Sequence, residues 1–269
     1  MRTQGPAQQR FVSYYFLLAY AISWTAALLI ALPYLLKHEA IPQRAGLLMF
    51  PVMLLGPCCA GLLLTGIQEG SCGMRNLFSR MCRLAPSLRW YAALLIPPSL
   101  ILLVLFLLKT FVSERFQPNL FVLGISFGCV AGFFEEIGWT GYAFPRMCSK
   151  MRALPAALAL GLLWGIWHFP VIDYLGAARP HGPYLFRFFL AFIAILAAIR
   201  VLIGWLYVLT QSVAMAQLFH ASSTGALVVF GATNITPAQE TFWYAVYAAA
   251  LWIVVALVVM KTSSTLSSP

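Results

Sequence analysis

Two adjacent glutamates are the residues of this chain best suited to chemistry. Glu135 and Glu136 lie in an apolar stretch of a chain that has only seven acidic residues. A carboxylate at membrane depth costs free energy, so acidic residues persist there mainly where they bind or react. Because successive residues of a helix are turned by about 100°, the two carboxylates face different neighbours. The pair therefore predicts a functional site in which the two glutamates have different roles.

Three further ionisable residues fall inside apolar runs, at depths that match one another in pairs and match between the pairs only approximately. His168 and His220 lie in the fifth and seventh runs, and Arg200 lies in the sixth. In an antiparallel helical hairpin, residues equally distant from the turn lie at similar depth. Glu135 and His168 are equally far from the basic turn that joins their runs, and Arg200 and His220 are equally far from theirs. We therefore expect these residues to meet in one cavity that opens to the cytoplasm.

Glutamate and histidine in a wet intramembrane pocket suit the activation of water. A partly dehydrated glutamate can act as a general base, and histidines can hold the water, bind a metal or stabilise an oxyanion. This combination favours hydrolysis of a peptide bond, although a proton-coupled transporter would use the same residue types. Trp139 and Trp164 are candidates to line the cavity, next to the substrate or the charged groups.

The composition places these residues in a membrane protein. The chain of 269 residues is 62% hydrophobic and 9% charged, with a mean hydropathy of +0.86. A soluble domain is about half apolar and about a quarter charged. The net charge of +10 lies in short segments between apolar runs, which is typical of cytoplasmic membrane flanks. The lipid bilayer is therefore an expected partner, and nucleic acid is not.

Eight apolar stretches are long enough to cross the hydrocarbon layer, for which a helix needs about 20 residues. They span residues 11–36, 45–67, 89–110, 118–145, 153–173, 186–209, 212–231 and 241–260. We predict an all-α fold, a polytopic membrane protein with eight transmembrane helices. The short separators leave no place for a soluble domain, so residues 1–269 are expected to form a single integral membrane domain. The first stretch is interpreted as an uncleaved span, since it is too long for a signal-peptide core.

Basic residues choose the orientation of the chain. With the N-terminus inside, ten Lys and Arg residues fall on the cytoplasmic side, Arg2 and Arg10 among them, and six fall on the other side. The densest basic clusters, at 75–89 and 146–152, are then both inside. Because Lys and Arg are enriched in cytoplasmic loops, both termini are predicted to be cytoplasmic. The expected location is the cell membrane, as a multi-pass protein of a bacterial inner membrane.

A glycine stripe accompanies one of the glutamates. Gly124, Gly128, Gly132 and Glu136 recur at every fourth position, so they share one face of the fourth predicted span. Glycines at this spacing allow a second helix to approach closely within a membrane. The stripe therefore predicts that Glu136 lies in a tight contact between two helices.

Three segments resemble the motifs of one family of membrane proteins. Residues 135–146, Glu-Glu-Ile-Gly-Trp-Thr-Gly-Tyr-Ala-Phe-Pro-Arg, resemble the Glu-Glu-x-x-x-Arg motif of the CPBP family. This family comprises the CAAX prenyl protease 2 proteins and the bacteriocin-processing (Abi) membrane proteins. Residues 164–168 resemble its second motif, aromatic-x-x-x-His, and residues 220–224 resemble its last, His-x-x-x-Asn. The likeness covers about residues 50–230.

The resemblance implies an eight-helix intramembrane endopeptidase and a role for each motif residue. It assigns the activation of water to Glu135, with Glu136 orienting that carboxylate or the substrate. It assigns His168 to holding the water, and His220 and Thr224 to stabilising the oxyanion. It also implies a metalloprotease, in which a divalent metal such as zinc is held by Glu135, His168 and His220. The implied substrate is a membrane-associated or prenylated peptide or protein.

Two positions depart from the family pattern. Position 140 is Thr where the motif has Arg, and position 224 is Thr where the motif has Asn. Thr140 has no charge with which to neutralise the acidic pair. We therefore expect Arg200 to supply the missing positive charge from the sixth span. The alternative is that the Arg200 side chain extends to the cytoplasmic headgroups.

Two functions of different classes fit these observations. The first is an intramembrane endopeptidase of the CAAX type, and the second is a non-catalytic member that acts as a membrane scaffold, immunity factor or carrier. A soluble-type zinc protease is disfavoured because no His-Glu-x-x-His motif occurs. Intramembrane aspartyl chemistry needs two aspartates, and Asp173 is the only one. Replacing Glu135 by Gln separates the two functions, since only a protease depends on that carboxylate.

Overall fold

In the part of the chain that the structure describes, all regular secondary structure is helical, as predicted. The computed structural model describes residues 6–266, with side chains for residues 11–262. Its helices are α1 (Pro6–Leu35), α2 (Gln43–Met53), α3 (Leu55–Met81), α4 (Leu88–Ala92), α5 (Ile96–Phe111), α6 (Gly124–Gly138), α7 (Phe144–Cys148), α8 (Ala153–Trp167), α9 (Leu185–Thr210), α10 (Val213–Phe230) and α11 (Pro237–Leu266). Short 3-10 turns occur at Ala93–Leu95, Glu114–Phe116, Phe169–Tyr174 and Gly182–Tyr184, and a π-helical segment at Trp139–Ala143.

Six helical segments of the described chain are long and apolar enough to cross a membrane. They are Phe11–Leu35, Gln43–Met81, Leu88–Phe111, Gly182–Thr210, Val213–Phe230 and Pro237–Thr262. The fourth and fifth predicted spans are not among them, so eight crossings stay a prediction. The fifth is the shorter apolar helix α8, which ends at Trp167 instead of near 173. His168 therefore lies at the C-terminal cap of α8. The hydropathy had instead placed it inside the fifth predicted span.

The second span differs from its prediction at its polar end. α2 and α3 meet at Leu54, and α3 contains a break at Gly70, whose φ of 58° is left-handed. Arg75 and Arg80 follow this break and still belong to α3. Their charge had instead suggested a loop between two spans. Hydropathy detects only the apolar part of a helix. Its polar continuation was therefore missed.

The glycine stripe of α6 packs against α10, as predicted. A Cβ atom built on Gly124, Gly128 or Gly132 would lie 2.8, 2.3 and 2.5 Å, respectively, from backbone atoms of α10. Side chains cannot approach a backbone so closely, so glycine is required for this separation. The contact brings Glu136, at the end of the stripe, opposite His220 of α10.

α9 is the central helix, with α8, α10 and α11 packed around it. Gly161 and Gly165 bring α8 close, since a Cβ built on them would lie 2.7 Å from Ala197 and 2.8 Å from Ile193 of α9. Arg200 lies in this helix and is fully buried. A buried arginine requires a paired charge, and the neighbouring helices supply it.

The π-helical segment directly follows the glutamates and has a local cause. Pro145 has no N–H, so the Gly141 carbonyl, four residues earlier, lacks the donor of a regular α-helix. Arg80 of α3 replaces that donor, with Nη2 2.9 Å from the Gly141 oxygen, while its Nη1 donates to the Tyr207 hydroxyl of α9 at 2.9 Å. The interruption at Pro145 thus coincides with a π bulge that an arginine from another helix contacts.

Candidate active site

The Glu135 carboxylate is buried and is held through one of its two oxygens. Oε2 accepts hydrogen bonds from the indole Nε1 of Trp164 at 2.6 Å and of Trp139 at 3.1 Å. Oε1 lies 3.9 Å from Nε2 of His220. This separation is too long for a direct hydrogen bond and suits a shared water molecule. One oxygen is therefore fixed by donors, and the other is directed toward an imidazole.

The Glu136 carboxylate is fully buried and paired at both oxygens. Nη1 and Nη2 of Arg200 donate to Oε2 and Oε1 at 2.9 and 2.8 Å. Nδ1 of His220 lies 2.8 Å from Oε1, and the Thr140 hydroxyl donates to Oε2. The ion pair expected between Arg200 and the acidic pair is thus present, and the Arg200 side chain is buried within the protein. The two glutamates have different surroundings, as their positions on the helix predicted.

Hydrogen bonds set the tautomers of both histidines. Nδ1 of His168 lies 2.8 Å from the Trp164 carbonyl oxygen, which can only accept, so this nitrogen carries the proton. The Glu136 carboxylate imposes the same tautomer on His220. In its neutral form, each imidazole then presents an unprotonated Nε2 that can accept a hydrogen bond.

Trp164 is the common contact of the cluster. Besides donating to Glu135, its ring lies 4.5 Å from the guanidinium carbon of Arg200. The ring centroids of His220 and His168 lie 4.9 and 5.8 Å from that of Trp164. Residues from α6, α9 and α10 and the cap of α8 thus meet around one indole. The expected convergence of these residues is therefore found, with a tryptophan at its centre.

Two threonines occupy different places relative to this cluster. Thr224 lies one turn after His220 on α10 and is half-buried, and its hydroxyl makes no hydrogen bond to another described residue. Thr140, which the sequence marked only as a departure from a motif, contacts both Glu136 and Arg200. Its position four residues after Glu136 on a helix is a signal from which this contact could have been predicted.

The side chains as placed do not form a metal site. Among the described residues, no group of three or more His, Cys, Asp or Glu side chains is arranged to hold a metal ion. One oxygen of Glu135 is occupied by two indole donors, and the Nδ1 atoms of His168 and His220 are both engaged. Oε1 of Glu135 and Nε2 of each histidine are left, and these are the atoms that would hold a metal. The metal requirement stays a prediction, and no step below depends on it.

Comparison with known proteins agrees with the motifs. Residues 117–226 match the family model described as "Rce1-like: Type II CAAX prenyl endopeptidase Rce1-like". A stretch of 60 residues is 42% identical to a Methanococcus maripaludis protein named "CAAX prenyl protease 2". Both matches support the resemblance to the CPBP family over this part of the chain. The shared stretch is 22% of this chain and 20% of the relative, so the match spans about a fifth of the relative's length.

The matched region contains every residue of the cluster. It runs from before α6 to within α10, and so includes the glutamate pair, both histidines, Arg200 and Thr224. α1 and α3 lie outside it, although α3 supplies Arg80 to the π segment. The CPBP-like region therefore carries the candidate chemistry, while helices outside it contribute support.

Proposed function

We propose that the chain is an intramembrane endopeptidase of the CAAX prenyl protease type, with Glu135 as general base. The observation that carries this proposal is the environment of Glu135. Its Oε2 is fixed by two indole N–H groups, while Oε1 is directed at Nε2 of His220. A carboxylate held in this way can accept a proton without reorganising at the moment of reaction. The family match over the same residues supports this reaction class.

In the proposed reaction, one water molecule occupies the space between Glu135 and His220. Oε1 of Glu135 accepts a proton while the water oxygen bonds to the carbonyl carbon of the scissile peptide. The proton then passes to the leaving nitrogen, and the C–N bond breaks to give a carboxylic acid and an amine. The second hydrogen of the water is donated to Nε2 of His220, and the Thr224 hydroxyl donates to the oxyanion. The resemblance gives His220 the oxyanion role, whereas its bond to Glu136 favours holding the water.

Glu136 is proposed to orient His220 and not to react. Its carboxylate accepts the Nδ1 proton of His220, which keeps Nε2 of that ring turned toward Glu135. Arg200 balances the charge of Glu136, so that the reactive carboxylate is not beside an uncompensated anion. This division explains why two adjacent glutamates occur together.

The remaining expectations follow from the same proposal. The substrate class is a membrane-associated peptide or protein, prenylated as the name of the relative suggests. We propose eight crossings, both termini in the cytoplasm and a bacterial inner membrane as the location, based on the distribution of basic residues. Arg2, one of those residues, lies outside the part of the chain that the structure describes.

Cleavage of defined peptides tests this function. The protein in liposomes is incubated with a peptide that ends in farnesyl-cysteine and three further residues, and with the same peptide without farnesyl. Products are identified by mass spectrometry. We expect cleavage by the wild type and a loss of about 10³-fold in Glu135→Gln. Glu114→Gln, at an exposed acid outside the cluster, should retain full activity.

The outcomes separate the alternatives. Cleavage that persists in Glu135→Gln would exclude this carboxylate as the base. Failure of the wild type to cleave either peptide would favour the scaffold, immunity or carrier function. The same assay with and without a chelator decides whether a divalent metal is required. Preference for the farnesylated peptide decides whether the substrate is prenylated.

A further inference from the structure

A second cluster of ionisable side chains lies at the connection between α8 and α9. The imidazole of His181 is fully buried there. Its Nδ1 lies 3.0 Å from Oδ1 of Asp173, which also accepts the His181 backbone N–H at 2.8 Å. On the other side, Nε2 lies 3.5 Å from Oε2 of Glu240 in the first turn of α11. One imidazole is therefore enclosed by two carboxylates, and the proposed mechanism uses none of the three.

The same connection wraps around the Glu240 carboxylate. Its two oxygens accept the backbone N–H groups of Ala177 and Ala178 at 2.8 and 2.7 Å. Gly176 has a φ of +72°, and a Cβ built there would lie 2.3 Å from Oε1 of Glu240. Both the positive φ and the close approach require glycine. The connection is thus attached to α11 by charge and by backbone hydrogen bonds. We call Asp173, His181 and Glu240 the clasp.

A row of aromatic rings joins the clasp to His168. The His181 ring stacks on Phe188 at a centroid distance of 3.9 Å, and Phe188 stacks on Phe192 at 6.4 Å. Phe192 in turn meets the His168 ring edge-on at 5.1 Å. Arg200 follows on the same helix, eight residues after Phe192, or about 12 Å further along its axis. The clasp therefore contacts the first turn of α9. The same helix carries Phe192, which contacts His168, and Arg200, which pairs with Glu136.

The clasp also acts on the chain that leaves His168. The 3-10 turn Phe169–Tyr174 begins directly after this histidine and ends beside Asp173. The backbone N–H of Val171 donates to the His168 carbonyl at 3.0 Å, so the turn is continuous with the cap of α8. The segment between His168 and His181 is thus held at both ends.

We infer that the clasp positions the active site, by fixing the start of α9 and the segment after His168. The His168 ring and the Arg200 guanidinium then keep their places against Trp164 and Glu136. For its catalytic consequence, this inference rests on the proposed function. Two packed elements, the start of α9 and the 3-10 turn after His168, connect the two sites.

Chemical modification of His168 tests the positioning without any substrate. Diethyl pyrocarbonate acylates unprotonated imidazole nitrogens, and mass spectrometry gives the rate at each histidine. The variants are Glu240→Gln, which removes one charge at nearly constant size, and Gly176→Ala, which pushes the backbone away from Glu240. We expect the rates at His168 and His181 to rise at least threefold in both variants. Glu114→Gln is the matched control and should leave both rates unchanged.

Kinetics with the farnesylated peptide add a second readout. A displaced active-site group lowers kcat by about 10-fold or more, so Glu240→Gln should lower kcat while KM stays within twofold. An unchanged His168 rate in both variants overturns the inference, as does a kcat that equals that of the wild type. If the protein cleaves neither peptide but His168 responds, the proposed function fails and the positioning by the clasp stands.

Discussion

Arg200 and Glu136 form a bidentate salt bridge between α9 and α6, and both side chains are buried. The family motif has Arg at position 140, one turn after Glu136 on the same helix, where this chain has Thr140. The Thr140 hydroxyl contacts both members of the pair. The positive charge next to the Glu136 carboxylate thus comes from Arg200 of α9, and not from position 140 of the motif.

Moving the arginine from position 200 to position 140 tests whether Arg200 replaces the arginine of the family motif. Arg200→Met leaves Glu136 as a buried, uncompensated charge, which costs about 3–5 kcal/mol, so the midpoint of thermal unfolding and the peptidase activity should both fall. Thr140→Arg alone places a second guanidinium beside Arg200 and should also destabilise the protein. The double variant Thr140→Arg/Arg200→Met should recover much of the loss, as a double-mutant cycle measures. Purely additive losses would contradict the compensation.

We expect the indole N–H of Trp164 to contribute more to peptidase activity than its aromatic ring does. Trp164→Phe keeps an aromatic ring against Arg200 but removes the donor to Glu135, worth about 1.5–3 kcal/mol for a charged acceptor. We expect kcat/KM to fall by about 10- to 100-fold. Trp205→Phe is the control, because the buried Nε1 of Trp205 has no hydrogen-bond partner among the described residues. Equal effects of the two substitutions would argue against a role of the N–H.

The glycine stripe predicts opposite effects for two glycine-to-alanine changes. In Gly128→Ala the new Cβ would meet the Ala221 carbonyl oxygen at 2.3 Å. Such overpacking costs about 1–3 kcal/mol and should lower the unfolding midpoint and separate α6 from α10. Gly66→Ala, on an exposed face of α3 with no atom within 4 Å of its Cβ, should be neutral or slightly stabilising. A tolerated Gly128→Ala would contradict the close contact.

The π segment predicts that the loss of stability caused by replacing Arg80 depends on whether residue 145 is proline. Arg80→Met leaves the Gly141 carbonyl without its donor, which costs about 1–3 kcal/mol if the group stays dry. In a Pro145→Ala background the restored N–H can bond to that carbonyl, so Arg80→Met should cost less there. Arg75→Met, at an exposed position of the same helix, is the control. Thermal unfolding of the four proteins in detergent measures the difference, and an equal cost in both backgrounds would refute the explanation.

The clasp makes stability depend on pH in a defined direction. Burial works against the charged imidazole, but the hydrogen bonds and charges of Glu240 and Asp173 outweigh it and raise the pKa of His181 above its ordinary value. The other helix packed on this ring presents Phe188, which does not titrate. A raised pKa stabilises the folded state fully below the ordinary pKa of about 6.5, and this contribution is lost as pH rises through the raised value.

The unfolding midpoint should therefore fall as pH rises from about 6.5 through the raised pKa of His181, and it should fall less steeply in Glu240→Gln. The two proteins are compared in the same detergent at each pH, with Glu114→Gln as a control that should follow the wild type. Parallel curves for the wild type and Glu240→Gln would show that His181 does not titrate in the clasp.

The features that the sequence determined are those set by single residues or by spacing along one helix. Long apolar stretches identify membrane helices because insertion requires them. An ionisable residue within such a stretch is rare, so the glutamate pair and Arg200 were recognisable one at a time. The glycine stripe followed from helical periodicity, and its packing against α10 is as predicted. The motifs pointed to the family for the same reason, since each lies within one helix or at its end.

The tertiary structure decided which groups pair across helices. Glu136 meets His220 across 84 residues of sequence and Arg200 across 64, and the depth and rotation of three helices set these contacts. The choice of Trp164 as the common contact, and the direction of each Glu135 oxygen, depend on the same rotations. His181 lies between two apolar stretches of the sequence, yet it is buried against Glu240 because α11 returns to that end of the bundle. Local periodicity specifies one face of a helix, but only the packed bundle specifies what that face meets.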